Sequence, residues 1–220
     1  MRSRILPLSP FLLACLGLFA PHATATTVLY TITVDTSSQD TNDAWIEFQF
    51  NPSSLGSDLA YADITAFTTD GAFDPPGSGA NTGDSSGQLP GTVSMDNATS
   101  FNDYFEEMTL GDTIQFNLAL SGPALDAPTG AGGGTFALDF LNAAQTGYLF
   151  TNDPINDVPV LTVDINPDGS TTATTYPSSG DGTPVVTFTG PLSIPEPATL
   201  GLAGAALLGL AAVKRRVRKK

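Results

Sequence analysis

Thr113-Ile114-Gln115-Phe116-Asn117-Leu118-Ala119-Leu120 decides the fold class of this chain. Ile114, Phe116, Leu118 and Leu120 take every second position, and small or polar residues fill the rest. A period of two places one set on each face of a strand, so this stretch predicts a half-buried β-strand. The same rhythm recurs on either side. Val28, Tyr30, Ile32 and Val34 alternate with Leu29, Thr31 and Thr33, and Ile46, Phe48 and Phe50 with Trp45, Glu47 and Gln49. Phe136, Leu138 and Phe140 follow, then Leu161, Val163 and Ile165, then Val186 and Phe188. Segments near 59–68, 147–151 and 170–176 add candidates. Gly, Pro, Asn, Asp and Ser punctuate the gaps. The pattern predicts an all-β, antiparallel β-sandwich of about nine or ten strands, jelly-roll or immunoglobulin-like. Two long loops are expected at 70–91 and 121–134. Phe101, Tyr104, Phe105 and Met108 fit helical spacing after Ser100, although an irregular strand fits them too.

The charge distribution excludes several chemistries. All eight Lys and Arg lie at positions 2, 4, 214–216 and 218–220. Residues 26–194 therefore contain no Lys or Arg, and they hold 21 of the 22 acids. The only Cys, Cys15, and the only His, His22, also lie outside this span. Nucleic-acid binding needs cations to neutralise phosphates. A Ser-His-Asp triad needs imidazole, and disulfides need thiols. Ion pairs inside this span are available only to an N-terminal amine. No cofactor is expected, and Ca²⁺ is the one ion that a surface of hard carboxylate oxygens would suit.

The two ends carry targeting chemistry. Arg2 and Arg4 precede an apolar stretch over 5–20, and Ala23-Thr24-Ala25 is an A-x-A site. Residues 1–25 thus read as a signal peptide cleaved after Ala25. Leu12-Leu13-Ala14-Cys15 offers a competing lipoprotein box with Cys15 as the acylated residue. At the other end, Pro195-Glu196-Pro197 is followed by an apolar run over 198–213 without charge or Pro. As a helix that run would span roughly 24 Å, near the thickness of a bilayer core. Gly201, Ala205 and Gly209 form a stripe suited to close helix contact in lipid. Six cations over 214–220 would hold the end in the cytoplasm.

This order of breaker, apolar run and basic stop resembles the tail of PEP-CTERM proteins. The resemblance covers 195–220 and divides the chain into a signal peptide (1–25), an extracellular β-sandwich (26–192) and a sorting signal (193–220). Within the signal, Pro195, Glu196 and Pro197 would be the recognition residues, 198–213 a single transmembrane helix and 214–220 the cytoplasmic tail. It implies an exosortase-type processing enzyme as partner, a membrane anchor that processing could remove, and delivery to the surface or matrix of a Gram-negative bacterium. Stretches around Leu89-Pro90-Gly91-Thr92-Val93 and Asn102-Asp103-Tyr104-Phe105 are similar to a domain of unassigned role in some such proteins. The family's association with exopolysaccharide points to a non-catalytic matrix component with extracellular polysaccharide as partner.

Candidate sites inside the domain are few. Asp164-Ile165-Asn166-Pro167-Asp168-Gly169 matches the start of a calcium loop, with Asp164, Asn166 and Asp168 as ligands. Position 12 of that loop is Thr175 rather than Glu, and Asn-Pro-Asp-Gly is equally hairpin-turn chemistry. Asn152, Asp153, Asn156 and Asp157 form a second oxygen-rich loop. Trp45 and Glu47 share an outward face where an indole could stack on a sugar, which suggests a carbohydrate-binding module. Glu47, Glu106 and Glu107 are the only glutamates in 26–194. A glycoside hydrolase needs two carboxylates at a set separation, and that reading ranks last. Asn97-Ala98-Thr99 fits a glycosylation sequon, read as coincidence.

Overall fold

A computed structural model describes residues 26–75, 77–151, 159–177 and 183–195, with backbone alone for 193–195. The expected signal peptide with Cys15, the Asn152–Asp157 loop and the tail from Glu196 lie outside the described residues.

The alternating stretches become strands. Sheet I contains β1 (Thr26–Asp35), β3 (Tyr61–Thr69), β6 (Ser85–Gly87), β7 (Val93–Asp96), β9 (Thr113–Ser121) and β13 (Val186–Pro195). Its order is β13-β1-β9-β3-β7-β6. Sheet II contains β2 (Asp43–Asn51), β4 (Ala72–Phe73), β5 (Ala80–Thr82), β8 (Asp103–Thr109), β10 (Gly134–Asn142), β11 (Leu161–Ile165) and β12 (Thr171–Thr175). Its order is β12-β11-β10-β2-β8-β4, with β5 also on β8. Every named pair is antiparallel.

The pairs β1·β9, β2·β8 and β3·β7 are nested, as in a long hairpin rolled up on itself. That nesting follows jelly-roll rather than immunoglobulin connectivity. The inward sets of the two sheets form one core. Ile114, Phe116, Leu118 and Leu120 of β9 are fully buried, as are Ile46, Phe48 and Phe50 of β2. Phe48 meets Phe116 across the sheets at 5.2 Å, ring edge to face. Apolar burial of this kind drives the collapse at about 25 cal/mol per Å².

Four expectations change. Residues 103–109 form strand β8, because Tyr104, Glu106 and Met108 point inward while their neighbours are only half-buried. The expected loop 70–91 builds β4, β5 and β6, which cover the edges of β8 and β7. Residues 147–151 contribute a single bridge, Leu141 to Tyr148, and not a strand. Finally, residues 190–194, whose sequence reads as a short spacer to the tail, belong to β13, which continues to Pro195. The β1–β13 register slips between Leu29 and Thr31, opposite Gly190. Gly190 takes φ +129 there, and a Cβ would meet the Leu29 carbonyl oxygen at 2.6 Å. Only glycine fits that bulge.

Candidate functional site

The outer face of sheet II gathers the residues singled out for binding. Trp45 and Glu47 both project there from β2, and the register sets their neighbours. Trp45 lies between Leu141 and Glu107, and Glu47 between Asp139 and Phe105. The Trp45 indole stacks on the diagonal Phe105 ring at 4.8 Å and 14°. Its Nε1–H donates to the Ala143 carbonyl at 3.3 Å. One indole face is thus already covered by an aromatic partner.

Glu47 is only 7% exposed and Asp139 only 2%. Two acidic side chains therefore face each other in register beneath the surface. Asp139 was missed in the sequence, although its outward phase between Leu138 and Phe140 was the available signal. From Glu47 a line of amides runs along β2. Gln49 Nε2 donates to Glu47 Oε1 at 2.8 Å, and Asn51 Nδ2 to Gln49 Oε1 at 3.0 Å. The Asn102 backbone N–H then donates to Asn51 Oδ1 at 2.8 Å. These bonds fix the row in place.

Residues 166–170 form the turn between β11 and β12. The Asn166 N–H donates to the Ser170 carbonyl at 2.8 Å, and Asp168 Oδ1 accepts from the Ser170 N–H at 2.9 Å and its hydroxyl at 2.5 Å. These donors hold the Asp168 carboxyl below its usual range, the hydroxyl contributing most. Asp164 Oδ1 accepts from Thr135 Oγ1 at 2.5 Å, and Asn166 donates its amide to Ser170 and Thr172. Of the three expected calcium ligands, Asn166 and Asp168 thus meet at the Ser170 hydroxyl, while Asp164 is bonded to Thr135 on the neighbouring strand. Among the described residues, no group of three or more His, Cys, Asp or Glu could hold a metal ion.

Glu106 is the acid that the pattern hid. It is fully buried on the inner face of β8. The Tyr104 hydroxyl donates to Glu106 Oε2 and accepts from the Leu89 N–H at 2.9 Å. Glu106 Oε1 has no hydrogen-bond partner among the described residues. Burial, and then the bond to Glu106, raise the Tyr104 hydroxyl pKa.

A cleft of about 280 Å³ opens between the 52–59 and 97–100 loops, lined by uncharged residues including Leu55, Leu59 and Ser100. Asn97 lines it but is spent internally. Its Nδ2 donates to the carbonyls of Asp58 and Gly133, and its Oδ1 accepts from the Ala60 N–H.

The fold is that of an acidic all-β sandwich. Its C-terminal segment carries the identifying signal. Residues 193–216 match the PEP-CTERM protein-sorting motif. The motif implies export, processing by an exosortase and sorting to the cell surface of a Gram-negative bacterium. No curated protein and no solved structure matches the chain. The motif overlaps the sandwich itself: 193–195 are its first residues and also the last residues of β13, paired with Val28, Thr27 and Thr26. Among the described residues, no helix is long and apolar enough to cross a membrane. The transmembrane segment expected at 198–213 lies beyond them.

Proposed function

We propose that the chain is a non-catalytic structural or interaction protein of the extracellular polysaccharide matrix, held transiently in the membrane by 198–213 and delivered by its sorting signal. The observation that carries this reading is the motif at 193–216 joined directly to a sandwich without Lys, Arg or His in 26–194. A domain with 21 acids, most of them away from the core, and many hydroxyls would hold hydrated polysaccharide weakly and over a wide area. Ca²⁺ would bridge carboxylates on the two partners. Weak, non-selective, salt-sensitive retention on acidic exopolysaccharide, strengthened by Ca²⁺, is the expected outcome of a glycan array. Saturable binding to one glycan would replace it with the second reading.

That second reading is a discrete carbohydrate-binding module, favoured by the Trp45–Phe105 stack beside Glu47. Trp45 is the only tryptophan in the chain, so its fluorescence reports directly on this face. A glycan that shifts the emission, and whose binding is lost in Trp45→Ala, would establish it. Turnover of any polysaccharide would instead revive the glycoside hydrolase reading through Glu47 and Asp139.

A further inference from the structure

The sorting signal begins inside the folded sheet. Pro195 pairs with Thr26, and 198 opens the apolar run only three steps later. Those steps reach at most about 11 Å. A processing enzyme acting at Pro195-Glu196-Pro197 would have the sheet immediately before that element and the expected membrane segment immediately after it. The end of β13 is built to relieve this. Residues 191–195 lie beyond the Gly190 bulge, where the ladder to β1 is already interrupted. Pro191 and Pro195 have no N–H, which leaves Leu192, Ser193 and Ile194 as the only donors. Leu192 is 59% exposed, so it contributes little burial. Above the bulge the strand is anchored differently: Val186 is 3% exposed, and Phe188 meets Tyr30 edge to face at 5.9 Å.

We propose that residues 191–195 are a detachable end of β13, which peels from β1 at the Gly190 bulge and presents the Pro-Glu-Pro element to its membrane-bound processing enzyme. Peeling frees five residues, about 17 Å of extended chain. The rest of β13 stays in the sheet through Val186 and Phe188, so the domain keeps its core while it is processed. The proposal rests on the sorting reading above, and the test separates the two.

Residues 26–194 contain no cysteine, so an engineered pair in the exported domain has one partner to find. Thr27→Cys with Ile194→Cys joins direct ladder partners below the bulge, and Thr33→Cys with Thr187→Cys joins partners above it. Each full-length chain is expressed in the host, disulfide formation is confirmed by thiol labelling, and intact mass shows whether Lys220 is retained. The lower lock should cut the processed fraction at least tenfold, and a reductant in the medium should restore it. That rescue distinguishes a gate from a misfolded variant. The upper lock should be processed like the wild type. A confirmed lower lock processed at the wild-type rate overturns the gate and leaves sorting intact. So does equal arrest by both locks, which would mean that the whole sandwich forms after processing. A wild-type chain that keeps Lys220 ends the sorting reading and the gate with it.

Discussion

Thr26 and Pro195 are partners on the ladder between β1 and β13. The first residue after the expected signal cleavage and the first residue of the Pro-Glu-Pro element thus leave the sandwich side by side. Both ends of the described sandwich therefore lie at the same end of the β1–β13 ladder.

The Thr26 backbone nitrogen donates to Asp126 Oδ1, across 100 residues of sequence, at the end of the short helix α1 (Pro123–Asp126). Signal removal would turn that nitrogen into an ammonium, the only cation between 26 and 194. Asp126→Ala should lower the melting temperature of protein starting at Thr26 by about 1–3 °C, as for a surface ion pair. The loss should shrink when Thr26 is acetylated, and again in 1 M salt. An equal loss in the acetylated protein would show that the ammonium adds nothing.

Burial pushes the Asp103 carboxyl up from 3.8 to about 6. Between those values the folded chain holds a proton that the unfolded chain has released, so this group makes stability fall as pH rises from about 4 to 6. Asp103→Asn should flatten that slope and raise stability at pH 7 by about 1–2 kcal/mol, discounting for partial exposure. Asp35, Asp58, Asp70 and Asp168 act in the opposite sense. Hydrogen-bond donors lower their pKa values, so their contribution is present above about pH 4 and lost on further acidification. Urea midpoints measured from pH 3 to 8 should therefore peak on the acidic side of neutrality. A peak at pH 7 or above would contradict the Asp103 assignment.

Tyr104→Phe removes the group that accepts from Leu89 and donates to Glu106. It strands a buried N–H and a second carboxylate oxygen, and should cost about 2–3 kcal/mol. Adding Glu106→Met should recover part of that loss, since an apolar side chain of similar length asks for no donor. Strict additivity in urea unfolding would show that the two residues are not coupled.

Asn97 ties together the Asp58 and Ala60 backbone and Gly133 while 5% exposed. Asn97→Ala should cost about 3 kcal/mol. Asn97→Asp should cost more, because a carboxylate oxygen would then face the carbonyls of Asp58 and Gly133. The intact protein should carry no glycan at Asn97, whose nitrogen is already engaged twice.

The sequence by itself determined the class of fold and the destination. Period-two alternation over 28–34, 46–50 and 114–120 is a local property, because successive side chains of a strand must take opposite faces. The charge ledger and the tail are equally local, since they depend on which residues are present and in what order. Alternation fixes faces but not partners, so the nested pairing of β1 with β9, β2 with β8 and β3 with β7 was open until the chain was folded. Residues 101–108 fitted two periods at once, and the pairing of β8 with β2 decided between them. Glu106 broke the polar-out rule and was legible only once Tyr104 supplied its partner. Asp139 opposite Glu47, Asp126 beneath Thr26 and Pro195 beside Thr26 are all long-range consequences of register. Register arises from packing two inner faces into one core, which no single stretch of the sequence contains.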